Sequence, residues 1–278
     1  MQSYRPPLFG SLPPVIKNLL FINIIVFVAD FVLGRMGIDL TRMLGLHNFL
    51  SPYFKPYQLI THMFMHGSIT HIFFNMFALV MFGKVLEQVW GSKRFLLYYF
   101  VTGLGAAALH SLVNYLNMQS LHNEIVAFVN TPSPEVLLRI VRENLPNPAL
   151  WVNDFLTSYS SHPNNAAYIN KGIDLANQIY ALHLNIPTVG ASGAVFGVLL
   201  AFGMMFPNAQ LMLLFPPIPI RAKYFVAIYG AIELFAAIMP QQGDNIAHFA
   251  HLGGMIFGYF MIRYWQKNGH GSGYNGFH

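Results

Sequence analysis

Six long apolar runs, separated by glycines, prolines or short polar segments, dominate the chain. Each is close to the ~20 residues that a helix needs to cross the hydrocarbon core of a bilayer. They predict membrane spans at residues 15–33, 69–89, 95–116, 188–206, 222–239 and 245–264. The apolar segment at residues 211–220 is not counted, because its three prolines are incompatible with a helix interior.

The connection between the first two spans is long enough to fold on its own. Residues 34–67 mix apolar and polar positions and contain Pro52 and Pro56, which predicts a structured outer loop with short helices. Ser68 directly precedes the second apolar run, and serine is a preferred N-cap residue. Residues 15–116 are therefore predicted to hold spans one to three and this loop.

Residues 117–187 have a different composition, with several prolines and charged pairs such as Arg139 and Arg142. Apolar positions recur at helical spacing in residues 133–145 and again in residues 168–184, which predicts two amphipathic helices. We interpret this segment as a helical extramembrane insertion between spans three and four. Residues 188–265 then hold spans four to six.

The composition agrees with an all-α polytopic membrane protein. Of 278 residues, 55% are hydrophobic and 9% are charged, against about 25% charged in soluble domains. The chain has no cysteine, which excludes a disulfide scaffold. Its net charge of +5 comes from scattered basic residues, so we expect no nucleic-acid partner. The first residues lack the features of a cleavable signal peptide.

Lysine and arginine predict the orientation, since cytoplasmic loops are enriched in them. With the N-terminus inside, the inner segments hold nine such residues and the short outer loops hold three. The inner set is Arg5, Lys17, Lys84, Lys93, Arg94, Arg221, Lys223, Arg263 and Lys267, and the outer set is Arg35, Arg42 and Lys55. We expect a cell-membrane protein with cytoplasmic tails at residues 1–14 and 266–278 and an outer insertion.

Polar residues within a membrane span are functional candidates by default, and four of those in the predicted spans stand out. They are His71 and Asn75 in span two, Ser192 in span four and His251 in span six. These three spans run from outside to inside, and all four residues lie near the outer ends. His71 and Asn75, four residues apart, share one helix face.

Small residues at a spacing of four flank two of these candidates. Gly193 and Gly197 follow Ser192, and Gly254 and Gly258 follow His251. This spacing lets helix backbones approach closely, as a Ser–His hydrogen bond between two helices requires. A serine hydroxyl needs such a base to become a nucleophile. The start of span four also offers free N–H groups to an oxyanion.

Each signal has a structural alternative. A membrane serine can bond to its own backbone, the glycines can serve plain helix packing, and His71 with Asn75 can form an interhelical polar clamp. Agreement in depth, face and packing among all of them favours a catalytic site.

Four stretches of the chain resemble the rhomboid intramembrane serine proteases. They are THMFMHGS leading to HIFFN at residues 61–75, EQVWGSKRF at 87–95, GASGA at 190–194 and AHLGGMIFG at 250–258. The resemblance covers the six-span core and implies a six-transmembrane-helix rhomboid-like bundle. The chain departs from the family in two ways. Its first outer loop lacks a Trp-Arg pair, and the insertion between spans three and four is long.

The resemblance also implies an activity. It implies an endopeptidase that cleaves transmembrane helices of membrane proteins near the outer face, through an acyl-enzyme and without a cofactor. Ser192 would be the nucleophile and His251 the general base, in a dyad with no third acid. The Ser192 backbone N–H, His71 and Asn75 would form the oxyanion hole. The partners would be transmembrane protein substrates and the lipid bilayer.

Three questions stay open at this stage. His248 lies three residues before His251. Only His251 is followed by glycines at the spacing of Gly254 and Gly258, so we assign the base to His251. A metal site is a rival, since His62 and His66 have ligand spacing and Asp244 is a nearby carboxylate, but no His-Glu-x-x-His motif is present. A proton-coupled transporter with Glu233 as relay and a catalytically inactive rhomboid-like protein are the other rivals.

Overall fold

The structure is a computed structural model that describes residues 12–212, 217–239 and 247–268. Most of this part is helical, which confirms the all-α membrane fold predicted from the sequence. The helices are α1 (Pro14–Arg35), α2 (Leu40–Leu44), α3 (Gln58–Thr61), α4 (Ile69–Ala78), α5 (Lys84–Trp90), α6 (Ser92–Asn130), α7 (Pro134–Asn144), α8 (Leu150–Ser161), α9 (Ala166–Leu184), α10 (Ser192–Met205), α11 (Ala222–Ile238) and α12 (His248–Lys267). A 3₁₀ turn at His62–Phe64 follows α3, and a π turn at Leu79–Gly83 joins α4 to α5.

Within the residues that the structure describes, three continuous helices are long and apolar enough to cross a membrane by themselves. They are Pro14–Arg35, Ile69–Trp90, which comprises α4, the π turn and α5, and Ser92–Asn130. The shorter helices α10, α11 and α12 pack against them and against each other. The six predicted apolar runs therefore meet in one helical bundle.

Helix α10 is the central and most buried helix of this bundle. It packs against α6, α11, α12 and α4, and most of its side chains are buried. Its 14 residues span only ~21 Å at 1.5 Å per residue, less than the ~30 Å hydrocarbon core. The helix starts at Ser192, later than the predicted start at residue 188, because Thr188 instead forms a β-bridge with Leu46.

Residues 34–67, the predicted first outer loop, contain the short helices α2 and α3 and the 3₁₀ turn. Ser68 caps α4 by accepting a hydrogen bond from the His71 N–H. Gln58, which is buried, organises the loop: its side chain accepts from the Lys55 N–H and donates to the carbonyl oxygens of Met43 and Tyr53. A buried amide thus holds together a loop in which the family's Trp-Arg pair is absent.

The predicted insertion has a hydrophobic core of its own. Helix α6 continues past Leu116 to Asn130, so the boundary at residue 117 does not coincide with a helix end. At ~58 Å, its 39 residues are about twice as long as the hydrocarbon core is thick. The far half of α6 packs on α7, α8 and α9 through a cluster centred on Phe128, Leu137, Ile140 and Tyr159.

Two of the insertion's three further helices match the predicted amphipathic segments. Helix α7 starts after Ser133, whose side chain accepts from the Val136 N–H, and α9 covers the second segment. Helix α8 was not predicted, because its sequence mixes apolar and hydroxyl residues. In the described parts of the proline-containing segment after α10 no helix forms, as predicted: residues Gln210–Met212 (β1) pair antiparallel with Pro219–Arg221 (β2).

A buried carboxylate fixes the start of the first span. Glu87 in α5 accepts hydrogen bonds from the N–H groups of Val15 and Ile16, both at 2.9 Å, and from the Ser92 hydroxyl at 2.6 Å. The first N–H groups of a helix have no partner within the helix, and a negative charge there is favourable. Glu87 therefore joins α1 to the α5–α6 corner.

We expect Glu87→Gln to lower the free energy of unfolding by about 1–3 kcal/mol, since one buried carboxylate oxygen becomes an NH₂ group that cannot accept. Thermal or denaturant unfolding in detergent micelles measures this. Glu143→Gln is the matched control, because Glu143 is exposed on α7 and should leave unfolding unchanged. Equal stability of the two variants would contradict the capping role.

Candidate active site

Ser192 is the first residue of α10 and follows a turn fixed by the first outer loop. The Gly190 N–H donates to the His62 carbonyl oxygen at 2.9 Å, and the Leu46–Thr188 bridge lies just before it. Gly190 has φ +132°, a conformation that favours glycine. The turn thus delivers the chain into α10 with Ser192 at the end where N–H groups are free.

His71 borders the same turn. A Cβ at Gly190 would lie 2.8 Å from the Nε2 of His71 and 3.6 Å from the Oγ of Ser192, so both side chains flank this glycine. Asn75 is buried one helical turn after His71, and its Nδ2 donates to the His71 carbonyl oxygen at 2.9 Å. This bond uses one of the two N–H bonds of the amide and leaves the other.

The four glycines beside the candidate dyad lie at contacts among α6, α10 and α12. A Cβ on Gly254 would overlap the carbonyl oxygen of Gly193, so the backbones of α10 and α12 touch there. Gly197 and Gly258 instead face α6: a Cβ on Gly197 would meet the Thr102 side chain, and one on Gly258 would meet the Tyr98 hydroxyl. The Tyr98 hydroxyl donates to the Gly197 carbonyl oxygen at 2.8 Å.

His251 lies in the first turn of α12 and is buried, with 9% of its surface exposed. Its ring stacks on that of Phe196 with a centroid distance of 4.1 Å and an interplanar angle of 7°. Its Nδ1 lies 2.9 Å from the Oε2 of Glu233 on α11. The contact between Gly193 and Gly254 brings this turn of α12 against the start of α10, beside Ser192.

Glu233 is the residue of the site that the sequence did not assign. The same Oε2 atom also lies 2.6 Å from the Nδ1 of His248, so one carboxylate oxygen bridges both histidines. Glu233 therefore lies among residues predicted for the outer side, not at the inner end of α11. The sequence signal for Glu233 was a single carboxylate within an apolar run. Its partners could not be predicted from that run, because they lie on another helix.

The histidines of the first outer loop do not join this group. His62 bonds the Gln58 carbonyl oxygen through Nδ1 at 2.8 Å. Burial lowers the pKa of both His62 and His66 to about 4, so the two rings are neutral at physiological pH. The His66 ring packs against that of His71 with centroids 5.0 Å apart.

Among the residues that the structure describes, one group has the spacing of a metal site. Ligand atoms of Glu233, His248 and His251 lie within 4.8 Å of one another. The predicted ligand pair His62 and His66 is not part of it, and Asp244 lies outside the described residues.

The fold defines a helical membrane protein in which His71, Ser192 and His251 lie near the starts of α4, α10 and α12. A family comparison extends this assignment: the rhomboid domain matches residues 53–128 and 157–267. The chain belongs to the rhomboid family, whose members are in general serine-type intramembrane proteases, although some are inactive.

Several curated proteins are similar to parts of the chain. Mitochondrial rhomboid protein 1 of Saccharomyces cerevisiae is 39% identical over 72 residues, which are 26% of this chain and 20% of that protein. Mitochondrial rhomboid-like protein 6 of Arabidopsis thaliana is 41% identical over 58 residues, 21% of this chain and 19% of that protein. An uncharacterised mitochondrial rhomboid protein of Schizosaccharomyces pombe is 24% identical over 206 residues, 73% of this chain and 48% of that protein.

The chain thus spans between about a fifth and a half of the length of these relatives.

We expect Gly254→Ala to lower both stability and any activity at Ser192, because its methyl group would push α12 away from the Gly193 carbonyl oxygen. Overpacking of this kind costs about 1–3 kcal/mol. Gly34→Ala is the matched control, since no atom lies within 4 Å of a Cβ there. Unfolding in detergent compares the two, and equal stability would contradict the close contact.

Proposed function

We propose that the chain is an intramembrane serine endopeptidase that uses Ser192 as nucleophile and His251 as general base. The main observation in support is the packing of α12 on α10 at Gly193 and Gly254, beside both residues. The Glu233 carboxylate at Nδ1 favours the tautomer with a proton there, because a carboxylate only accepts. Nε2 of His251 is then left with the lone pair that a base needs.

The proposed reaction has two steps. Ser192 Oγ attacks the scissile carbonyl carbon while its proton passes to Nε2 of His251, which then protonates the departing amine. Water then attacks the ester carbonyl carbon while its proton passes to Nε2 of His251. The bond from that carbon to Ser192 Oγ breaks, the carboxylic acid leaves, and His251 returns the proton to Ser192 Oγ. Three donors would hold the oxyanion: the Ser192 N–H, the His71 ring and the Asn75 amide. The loss of one such donor typically costs ~10²–10³ in turnover.

Hydrolysis needs water at membrane depth. Helix α10 is shorter than the hydrocarbon core, so its start at Ser192 can lie below the outer surface and still face an aqueous opening. A cavity of about 20 Å³ borders Ser192 and is also lined by His62, His110 and Thr188. Its size and its polar groups suit one water molecule.

We propose that a substrate helix reaches Ser192 from the lipid beside α11. This helix is loosely packed, and Leu234 and Phe235 are 50% and 63% exposed. Tyr229 stacks on Phe225 and packs at a tilt against Phe196, and Phe196 in turn stacks on His251. These four α11 side chains, Phe225, Tyr229, Leu234 and Phe235, are the candidates for a gate.

We also propose that both termini face the cytoplasmic side of a cell membrane, on the basis of the lysine and arginine asymmetry. The three relatives described above are named as mitochondrial. In an organelle membrane, the side that corresponds to the cytoplasm would be the matrix or the stroma.

Ser192→Ala is expected to abolish cleavage of a single-span transmembrane substrate and labelling by a fluorophosphonate probe, because it removes only the attacking oxygen. Its unfolding in detergent should match that of the parent. His251→Ala should also be inactive, whereas His248→Ala should keep most of the activity. Appreciable cleavage by Ser192→Ala would refute the proposal, and the reverse result for the two histidines would reassign the base.

The insertion is proposed to be a lid or docking module for substrates on the outer side. It has its own core, and Asn185, which follows α9, bonds the Ser51 hydroxyl of the first outer loop at 2.7 Å. Leu150 and Trp151 at the start of α8 are 83% and 50% exposed and offer an apolar surface. The insertion then leads directly into the turn before Ser192.

Replacing residues 121–179 by a short Gly/Ser linker tests this role. The shortened protein should still react with a small fluorophosphonate at Ser192, because the main core of the bundle is separate from that of the insertion. It should cleave a transmembrane substrate with altered efficiency or at an altered site. Unchanged cleavage would indicate that the insertion has no role in substrate recognition. Loss of labelling in a folded protein would show that the insertion helps to build the site.

A further inference from the structure

Glu233 is an unusual residue for its position in α11. Of the described residues of this helix, only Ala222, Val226 and Glu233 are buried, so the single buried polar side chain is an ionisable one. A carboxylate inside a membrane bundle is costly unless it has partners, and such residues are functional candidates. The partners of Glu233 are His248 and His251, both on the adjacent helix α12.

The contacts of His251 restrict its ring in two ways. Stacking on Phe196 fixes the plane of the ring, since the two rings are 4.1 Å apart and nearly parallel. The bond of 2.9 Å from Nδ1 to the Oε2 of Glu233 fixes the rotation of the ring within that plane. A base must be held in one orientation and one tautomer to accept a proton efficiently.

The two short distances favour hydrogen bonds over metal ligation. Glu233 Oε2 lies 2.6 Å and 2.9 Å from the two Nδ1 atoms, within the range of hydrogen bonds. Ligands about 2.0–2.1 Å from a tetrahedral zinc ion would be separated by roughly 3.3 Å. Each bond therefore places a proton between a nitrogen and the carboxylate.

We propose that Glu233 is a positioning residue for the base, so that the site works as a Ser192–His251–Glu233 triad; this inference rests on the proposed function. When the Ser192 Oγ–H bond breaks, its proton forms the new N–H bond at Nε2 of His251. The proton at Nδ1 stays on His251. The Glu233 carboxylate stabilises the positive charge of the imidazolium but does not take this proton. The family resemblance had implied a dyad with no third acid.

Glu233→Gln is expected to lower kcat for a transmembrane substrate by roughly 10- to 1,000-fold, with KM little changed. The amide keeps the size of the side chain but removes the charge that stabilises the imidazolium. Glu233→Asp restores the charge on a shorter side chain and should recover part of the lost kcat. The rate of fluorophosphonate labelling at Ser192 should follow kcat in both variants.

Glu87→Gln is the matched control, because it removes an equally buried carboxylate far from His251 in the sequence and outside its contacts. At a temperature where it is folded, it should lose stability but keep the parent kcat. If Glu233→Gln fails to fold, Glu233→Asp carries the test, and its kcat must then lie below that of the parent at an unchanged KM.

Three results would overturn the inference. One is a parent-like kcat in folded Glu233→Gln while Ser192→Ala is inactive, which would leave the proposed protease intact without a third member. Another is an equal fall in kcat for Glu87→Gln, which would indicate a general loss of structure. The last is activity that a chelator removes and Zn²⁺ restores, which would assign Glu233, His248 and His251 to a metal. Cleavage by Ser192→Ala would instead refute the proposed function itself.

Discussion

The contact between the backbones of α10 and α12 is the constraint on which the site depends. Gly193 and Gly254 leave no room for a Cβ between the two helices. Serine and histidine side chains are short, so they can share a proton across two helices only where the backbones nearly touch. In a bilayer the hydrophobic effect does not drive helices together, and close packing of small residues has that role instead.

Helix α6 supports this contact from a third side. Tyr98 donates to the Gly197 carbonyl oxygen, and Thr102 packs on Gly197 and Gly258. The same helix extends out of the bundle to form part of the core of the insertion. One continuous helix thus connects the packed core of the bundle to the core of the insertion.

His251, the proposed base, is held by neighbours from two other helices. Phe196 on α10 supports one face of the ring of His251, and Glu233 on α11 bonds its Nδ1. Helix α11 otherwise buries only two side chains, both of them small and apolar. The carboxylate therefore links this loosely packed helix to the proposed base, so that the position of α11 and the orientation of His251 are physically coupled.

The sequence alone determined the apolar helical segments, the cap at Ser68 and the candidates His71, Asn75, Ser192 and His251, because apolar periodicity and local motifs depend on neighbouring residues. The tertiary structure decided the start of α10 at Ser192, since a bridge to Leu46 holds Thr188 outside the helix. It also decided the partners of Glu233. Its bonds to His248 and His251 join residues 15 and 18 positions apart on two helices. No local pattern encodes such a bond, because the packing of α11 on α12 creates it.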